Sequence, residues 1–153
     1  MSELKSNYKI SKINNLVIVA QLGILNLNSM MEFIKTLNSD PLFSTKFNQI
    51  VDLNETILDL TFEDINKYVE HLENNSTLLG VKKIALITNT PNQVVYSTLF
   101  KEAQEQLQPL QSVQIFSTLK SAYNFVEKEN ISFEEVSITL NQLKKSSKLH
   151  FFI

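Results

Sequence analysis

Five carboxylates crowd one short stretch of this chain: Asp52, Glu55, Asp59, Glu63 and Asp64. Acidic side chains beside a strand end are the raw material of a Mg²⁺-dependent phosphoacceptor site. Such a site also needs an acidic pair after a second strand and a lysine near the last strand, and the sequence supplies neither clearly. Glu63 and Asp64 have a simpler role, because acidic residues in a helix's first turn complement its dipole. The two histidines, His71 and His150, share no ligand spacing with other residues, so no metal is expected. The chain has no cysteine, which excludes a thiolate nucleophile, a Cys-based zinc site and a disulfide framework. With two glycines, Gly23 and Gly80, it has no loop to cradle a phosphate, and no Ser-His-Asp order with an elbow glycine. The expectation is a non-enzymatic protein with no cofactor.

The residues left to consider are apolar. Met30, Met31, Phe33, Phe43 and Phe47 fall on one predicted helix and the loop after it. Core packing is the ordinary use of Met and Phe at such spacing. The functional version is a lid that opens over an apolar pocket or presses on a membrane surface.

The elements that carry these residues are legible. Tyr8 to Ile13 and Leu16 to Leu22 read as strands joined at Asn14-Asn15, a turn signal because Asn tolerates positive φ. Gly23 is expected to let the chain leave the sheet. Ser29-Met30-Met31-Glu32 reads as a capping box opening a helix that Asp40-Pro41 ends. Gln49 to Leu53 is a short buried strand, and Thr61 caps a helix with the stripe Phe62, Ile65, Val69 and Leu72. Ile84 to Ile87 is a continuous apolar run, the mark of a strand covered on both faces. Thr90, Pro91 and Gln93 then supply an N-cap, a favoured first residue and a capping-box partner. The helix that follows is read with Val95, Leu99 and Ala103 on its packed face. Val113 to Phe116 is a further strand. Ser117 or Thr118 caps a helix bearing Leu119, Ala122, Tyr123 and Val126, and Ser132-Phe133-Glu134-Glu135 is one more capping box.

The order β-β-α-β-α-β-α-β-α-α predicts an α/β fold: a mixed, mostly parallel sheet with an N-terminal hairpin and flanking helices. The 153 residues suit one domain, with a core over about 8–126 and a C-terminal helix and tail over 131–153. The formal net charge is −2 and there is no basic stripe, so no nucleic-acid partner is expected. Lys144-Lys145-Ser146-Ser147-Lys148 reads as a solvated helix end. Neither a secretory signal nor a spanning helix is read from the sequence, and the absence of cysteine fits a reducing, cytoplasmic location.

Several of these segments together resemble the SpoIIAA-like branch of the STAS fold, the small bacterial proteins of STAS/SEC14-like type. The resemblance rests on Leu22-Gly23, on Asp40-Pro41 with Phe43 and Phe47, on Ile50-Val51-Asp52-Leu53, on Ile84 through Gln93, and on Phe116 through Ala122. It covers about Tyr8 to Val126 and lies in joint order and spacing. In the anti-sigma-factor antagonists of the wider STAS group, a serine after the Asp-Leu strand is phosphorylated. Asp52-Leu53-Asn54 is similar to the first part of that pattern. Leu60-Thr61-Phe62-Glu63 falls where Asp-Ser-x-Gly would stand, so the resemblance makes Thr61 the phosphorylation candidate. The Asp and the Gly of the pattern are both missing.

The resemblance implies a protein-interaction or regulatory module, or alternatively a carrier of an apolar ligand or lipid that associates with membranes. Phe133, Val136, Leu140 and Leu143, with Phe151 and Phe152 in the tail, form an apolar stripe beyond the matched region. They are the expected interface of a homodimer or a protein partner, or alternatively the stripe by which this helix packs on an open face of its own sheet. An interior cavity lined by Met31, Phe33, Phe43 and Phe47 would favour the carrier. A filled core with an exposed apolar patch would favour interaction, and converging polar groups with perturbed ionisation would favour an enzyme.

Overall fold

The apolar run Leu16-Val17-Ile18-Val19-Ala20 has no polar alternation, and in the computed structural model all five residues are buried in an interior strand of a sheet. The structure describes residues 3–75, 81–126 and 131–149. Its elements are β1 (Lys5–Ser11), β2 (Leu16–Leu25), α1 (Leu27–Ser39), β3 (Asn48–Leu58), α2 (Phe62–Asn75), β4 (Lys82–Ile87), α3 (Pro91–Leu107), β5 (Gln111–Phe116), α4 (Leu119–Val126) and α5 (Phe133–Leu149).

The strands lie in sequence order, with β1 antiparallel to β2 and every later neighbour parallel. The turn between β1 and β2 places Asn15 at φ 52°, as the Asn pair predicts. Because each crossover moves one strand in the same direction with the same hand, α1, α2 and α3 all cover one face. The other face would be bare without α4 and α5, which fold back over it. Leu16, Ile18 and Ala20 of β2 pack there with Ile50, Ala85, Ile87, Ala122, Tyr123, Val126, Val136 and Leu140.

That packing corrects the reading of the C-terminal stripe as an interface. Val136 is 0% and Leu140 3% exposed, both inside the core, and Phe133 and Leu143 pack partly buried against them. A sheet whose crossovers all fall on one face needs this helix as its second cover. Phe151 and Phe152 lie outside the described residues.

Local details also differ from expectation. The N-cap of α1 is Asn26, and Ser29 is its reciprocal partner rather than the cap itself. Gly23 does not end β2. At φ 110° it stays in the strand, paired with Thr56 of β3, just past a register shift between Ala20 and Leu22 where β3 carries one extra residue. Both strands therefore run on to Leu25 and Leu58. Thr61 does cap α2, in a reciprocal pair with Asp64 at 3.1 and 3.0 Å.

Candidate functional site

The α1–α3 face is built differently from its opposite. The inward positions of β4 are Lys82, Ile84 and Leu86, and those of β3 include Gln49, Val51 and Leu53. A lysine and a glutamine thus begin strands whose later residues are apolar. The helix above continues the pattern. On α3 the buried residues are Gln93, Ser97 and Gln104, with Tyr96 and Phe100 packed beside them. Val95 is 49% exposed, so the face expected from Val95, Leu99 and Ala103 is not the one that packs.

Gln93 explains the start of this arrangement. Thr90 Oγ1 accepts from the Gln93 backbone N–H at 3.2 Å, as the cap motif requires. The Gln93 side chain does not return to Thr90. Its Oε1 accepts from Asn89 N–H at 2.8 Å, and its Nε2 donates to the carbonyls of Leu53 and Thr56 at 2.8 and 3.1 Å. The amide thereby satisfies the bulged part of β3 and pins the N-terminus of α3 over it.

Between this helix layer and the sheet lies a cavity of about 140 Å³. Leu25, Met30, Phe33, Ile65, Tyr68 and Phe100 supply its apolar wall, while Gln49, Lys82, Ser97 and Gln104 supply its polar one. A smaller polar cavity of about 50 Å³ shares Ile34, Gln49, Leu72, Lys82 and Gln104, and adds Phe43, Thr45, His71, Gln108 and Gln111.

Lys82 is the outstanding group. It is 9% exposed, and burial holds its ammonium down to about 8. Among the described residues its Nζ makes no hydrogen bond or ion pair. Gln104 Nε2 donates to Gln111 Oε1, leaving Gln104 Oε1 buried without a donor, and Thr45 Oγ1 is buried without a partner too. The Tyr68 phenol, also on the wall, is pushed up by burial and has no hydrogen bond among the described residues.

The apolar candidates from the sequence divide. Met30 and Phe33 line the larger cavity and Phe43 the smaller. Phe47 is buried with Val17, Val19 and Leu37, stacked edge-on against Phe43, and lines neither. Met31 lines neither and is half-buried on α1. Thr61 stands at the exposed start of α2, its hydroxyl used by the cap. The carboxylate cluster does not converge: Asp52 points to the other face, where it bonds Lys144 at 2.8 Å. Among the described residues no group of three metal-ligating side chains forms, and no helix is long and apolar enough to cross a membrane.

Sequence reasoning missed Lys82, Tyr68 and the Gln93–Ser97–Gln104 stripe. The signal was present, since polar residues recur on α3 at spacings of four and seven. An apolar stripe beside it drew the packed face instead.

No family model and no curated protein matches the chain. Among solved structures, it is similar to an uncharacterised protein of the DUF3478 family from Shewanella loihica PV-4, described as having a SpoIIAA-like fold. The identity is 12% and the TM-score 0.49, over 82% of this chain and 98% of that one.

Proposed function

We propose that this protein is a non-enzymatic binding module that takes a small, largely apolar ligand into the space between α1–α3 and the sheet. The observation that carries the reading is the 140 Å³ cavity walled by Met30, Phe33, Ile65 and Phe100. Protein interiors ordinarily pack to crystal density, and an apolar void of ~150 Å³ is large enough to admit benzene. Lys82 is perturbed, yet no carboxylate lines either cavity among the described residues. The polar groups therefore read as a receptor rather than an acid–base pair. An interaction module follows from the resemblance and drew its candidate surface from the stripe of Phe133, Val136, Leu140 and Leu143, of which the core occupies Val136 and Leu140.

Native mass spectrometry of the purified protein tests the reading for a retained ligand and reports the subunit count. Solution titration with hexan-1-ol, followed by amide shifts, tests the cavity directly. Shifts should map to Phe33, Tyr68 and Phe100. Ser97→Phe, which fills the space, should abolish them. Shifts that appear elsewhere, or survive Ser97→Phe, would refute the proposal.

A further inference from the structure

We infer that the ligand is a small apolar acid and that Lys82 receives its carboxylate. The inference rests on the cavity-binding reading and adds the head group to it.

Charged side chains are almost never buried unless paired, because desolvating an ion costs far more than an apolar substitute would. Lys82 breaks that pattern. It opens β4 with its side chain on the cavity face, and the residues around it are neutral amides. Gln111 is its register partner on β5, and Gln49 stands one strand over, opposite Ile84. Gln111 Oε1, which could have accepted from the ammonium, is taken by Gln104. The two cavities that Lys82 shares have no carboxylate among their described lining residues. Among the described residues the ammonium thus has no anion, in a space large enough to admit one.

The unused hydrogen-bonding groups fit the same guest. A carboxylate has two oxygens and roughly four acceptor sites. It can take the Lys82 ammonium and keep acceptor sites for other donors of the lining, where the Tyr68 phenol makes no hydrogen bond among the described residues. An alcohol would bring no charge and leave the ammonium unneutralised. A phosphate would bring a second charge and more oxygens to a wall otherwise made of Leu, Met and Phe. The volume limits the body to about six carbons or one aromatic ring, by comparison with cavities that hold benzene.

Calorimetric titration of the full chain with hexanoate and with hexan-1-ol, against wild type and Lys82→Met, tests this. Methionine keeps the length and removes the charge. Hexanoate should bind wild type at least about tenfold more tightly than hexan-1-ol, the margin a charge-assisted bond supplies. In Lys82→Met the order should reverse, with hexan-1-ol still bound. Hexanoate affinity should fall as pH rises through about 8, where the ammonium of the free protein loses its proton. The other titratable side chains among the described lining of the two cavities are Tyr68, Tyr96 and His71, and hexan-1-ol run in parallel reports any effect of theirs on the cavity itself.

Equal or tighter binding of the alcohol to wild type would overturn the acid while leaving cavity binding intact. So would an acid preference that survives Lys82→Met. Loss of both ligands in the folded variant would mean that Lys82 shapes the cavity rather than receiving a charge, and would overturn the inference. Binding of neither probe to wild type would overturn both readings.

Discussion

Replacing Lys82 with methionine should make this protein more stable, and the gain should vanish at high pH. Burial lowers the Lys82 ammonium from its ordinary 10.5 to about 8. Each unit corresponds to about 1.4 kcal/mol, so keeping the charge inside the fold costs about 3 kcal/mol near neutral pH. The sign follows from proton counts. Below about 8 the folded and unfolded chains are both protonated at this site, and the cost is constant. Between about 8 and 10.5 the unfolded chain holds the proton and the folded one does not, so wild-type stability rises with pH. Above 10.5 the amine is neutral in both states and the cost is gone. Urea denaturation of wild type and Lys82→Met at a series of pH values reads this as a difference. The variant should be ahead by about 3 kcal/mol at neutral pH, with any gain from the added apolar contact on top, and the lead should close by that amount over the window. Tyr8 and Tyr68, whose phenols are raised in the fold, weaken both proteins alike near and above pH 10 and cancel in the comparison. A lead that does not change with pH, or a variant less stable at neutral pH, would refute the account of Lys82 as an unpaired buried charge.

Three further outcomes follow from the packing. Lys144→Met should destabilise by about 1–3 kcal/mol in thermal or urea unfolding, because it strands the buried Asp52 carboxylate, part of the loss being offset by water at the half-open lysine. Leu140→Ala should cost about 2–5 kcal/mol, and deletion from Ser132 onward should give an unfolded chain by circular dichroism, since the face of Leu16 and Ile18 loses its cover. Thr61→Ala and Thr90→Ala should each cost about 1 kcal/mol through a lost cap, while Thr61→Ser should be nearly neutral.

The element order and strand directions were legible because they rest on local signals: the apolar run at Ile84, the caps at Thr61 and Thr90, the turn at Asn15. The continuation of β2 and β3 to Leu25 and Leu58 was not, since pairing between distant strands overrides the tendency of Gly23 to break one. The role of α5 depended on a global count of which face each crossover covers, which no window of sequence contains. The cavity was half legible. Met30 and Phe33 line it as an apolar reading suggests, and Phe43 lines the smaller one beside it. Lys82 stands beside Lys83 at the start of a strand, and only the parity of β4 sends it inward while Lys83 stays outside.

The two faces of the sheet argue together for where function sits. The α4–α5 face also buries a charge, Asp52, but answers it completely: Oδ2 meets Lys144 at 2.8 Å and Oδ1 accepts from Asn54 N–H at 2.9 Å. A fold that satisfies a buried carboxylate so fully across one layer has the means to satisfy an ammonium across the other. The α1–α3 layer does the opposite. It buries Thr45 Oγ1 and Gln104 Oε1 without partners, Lys82 and Tyr68 make no hydrogen bond among the described residues, and a cavity lies beside Lys82, Tyr68 and Gln104. Unmet polar groups destabilise wherever they are buried, and methionine at position 82 would relieve the largest of them. Lys82, Tyr68 and Gln104 stand together on the lining of one cavity, which is where the proposed ligand would supply the missing partner.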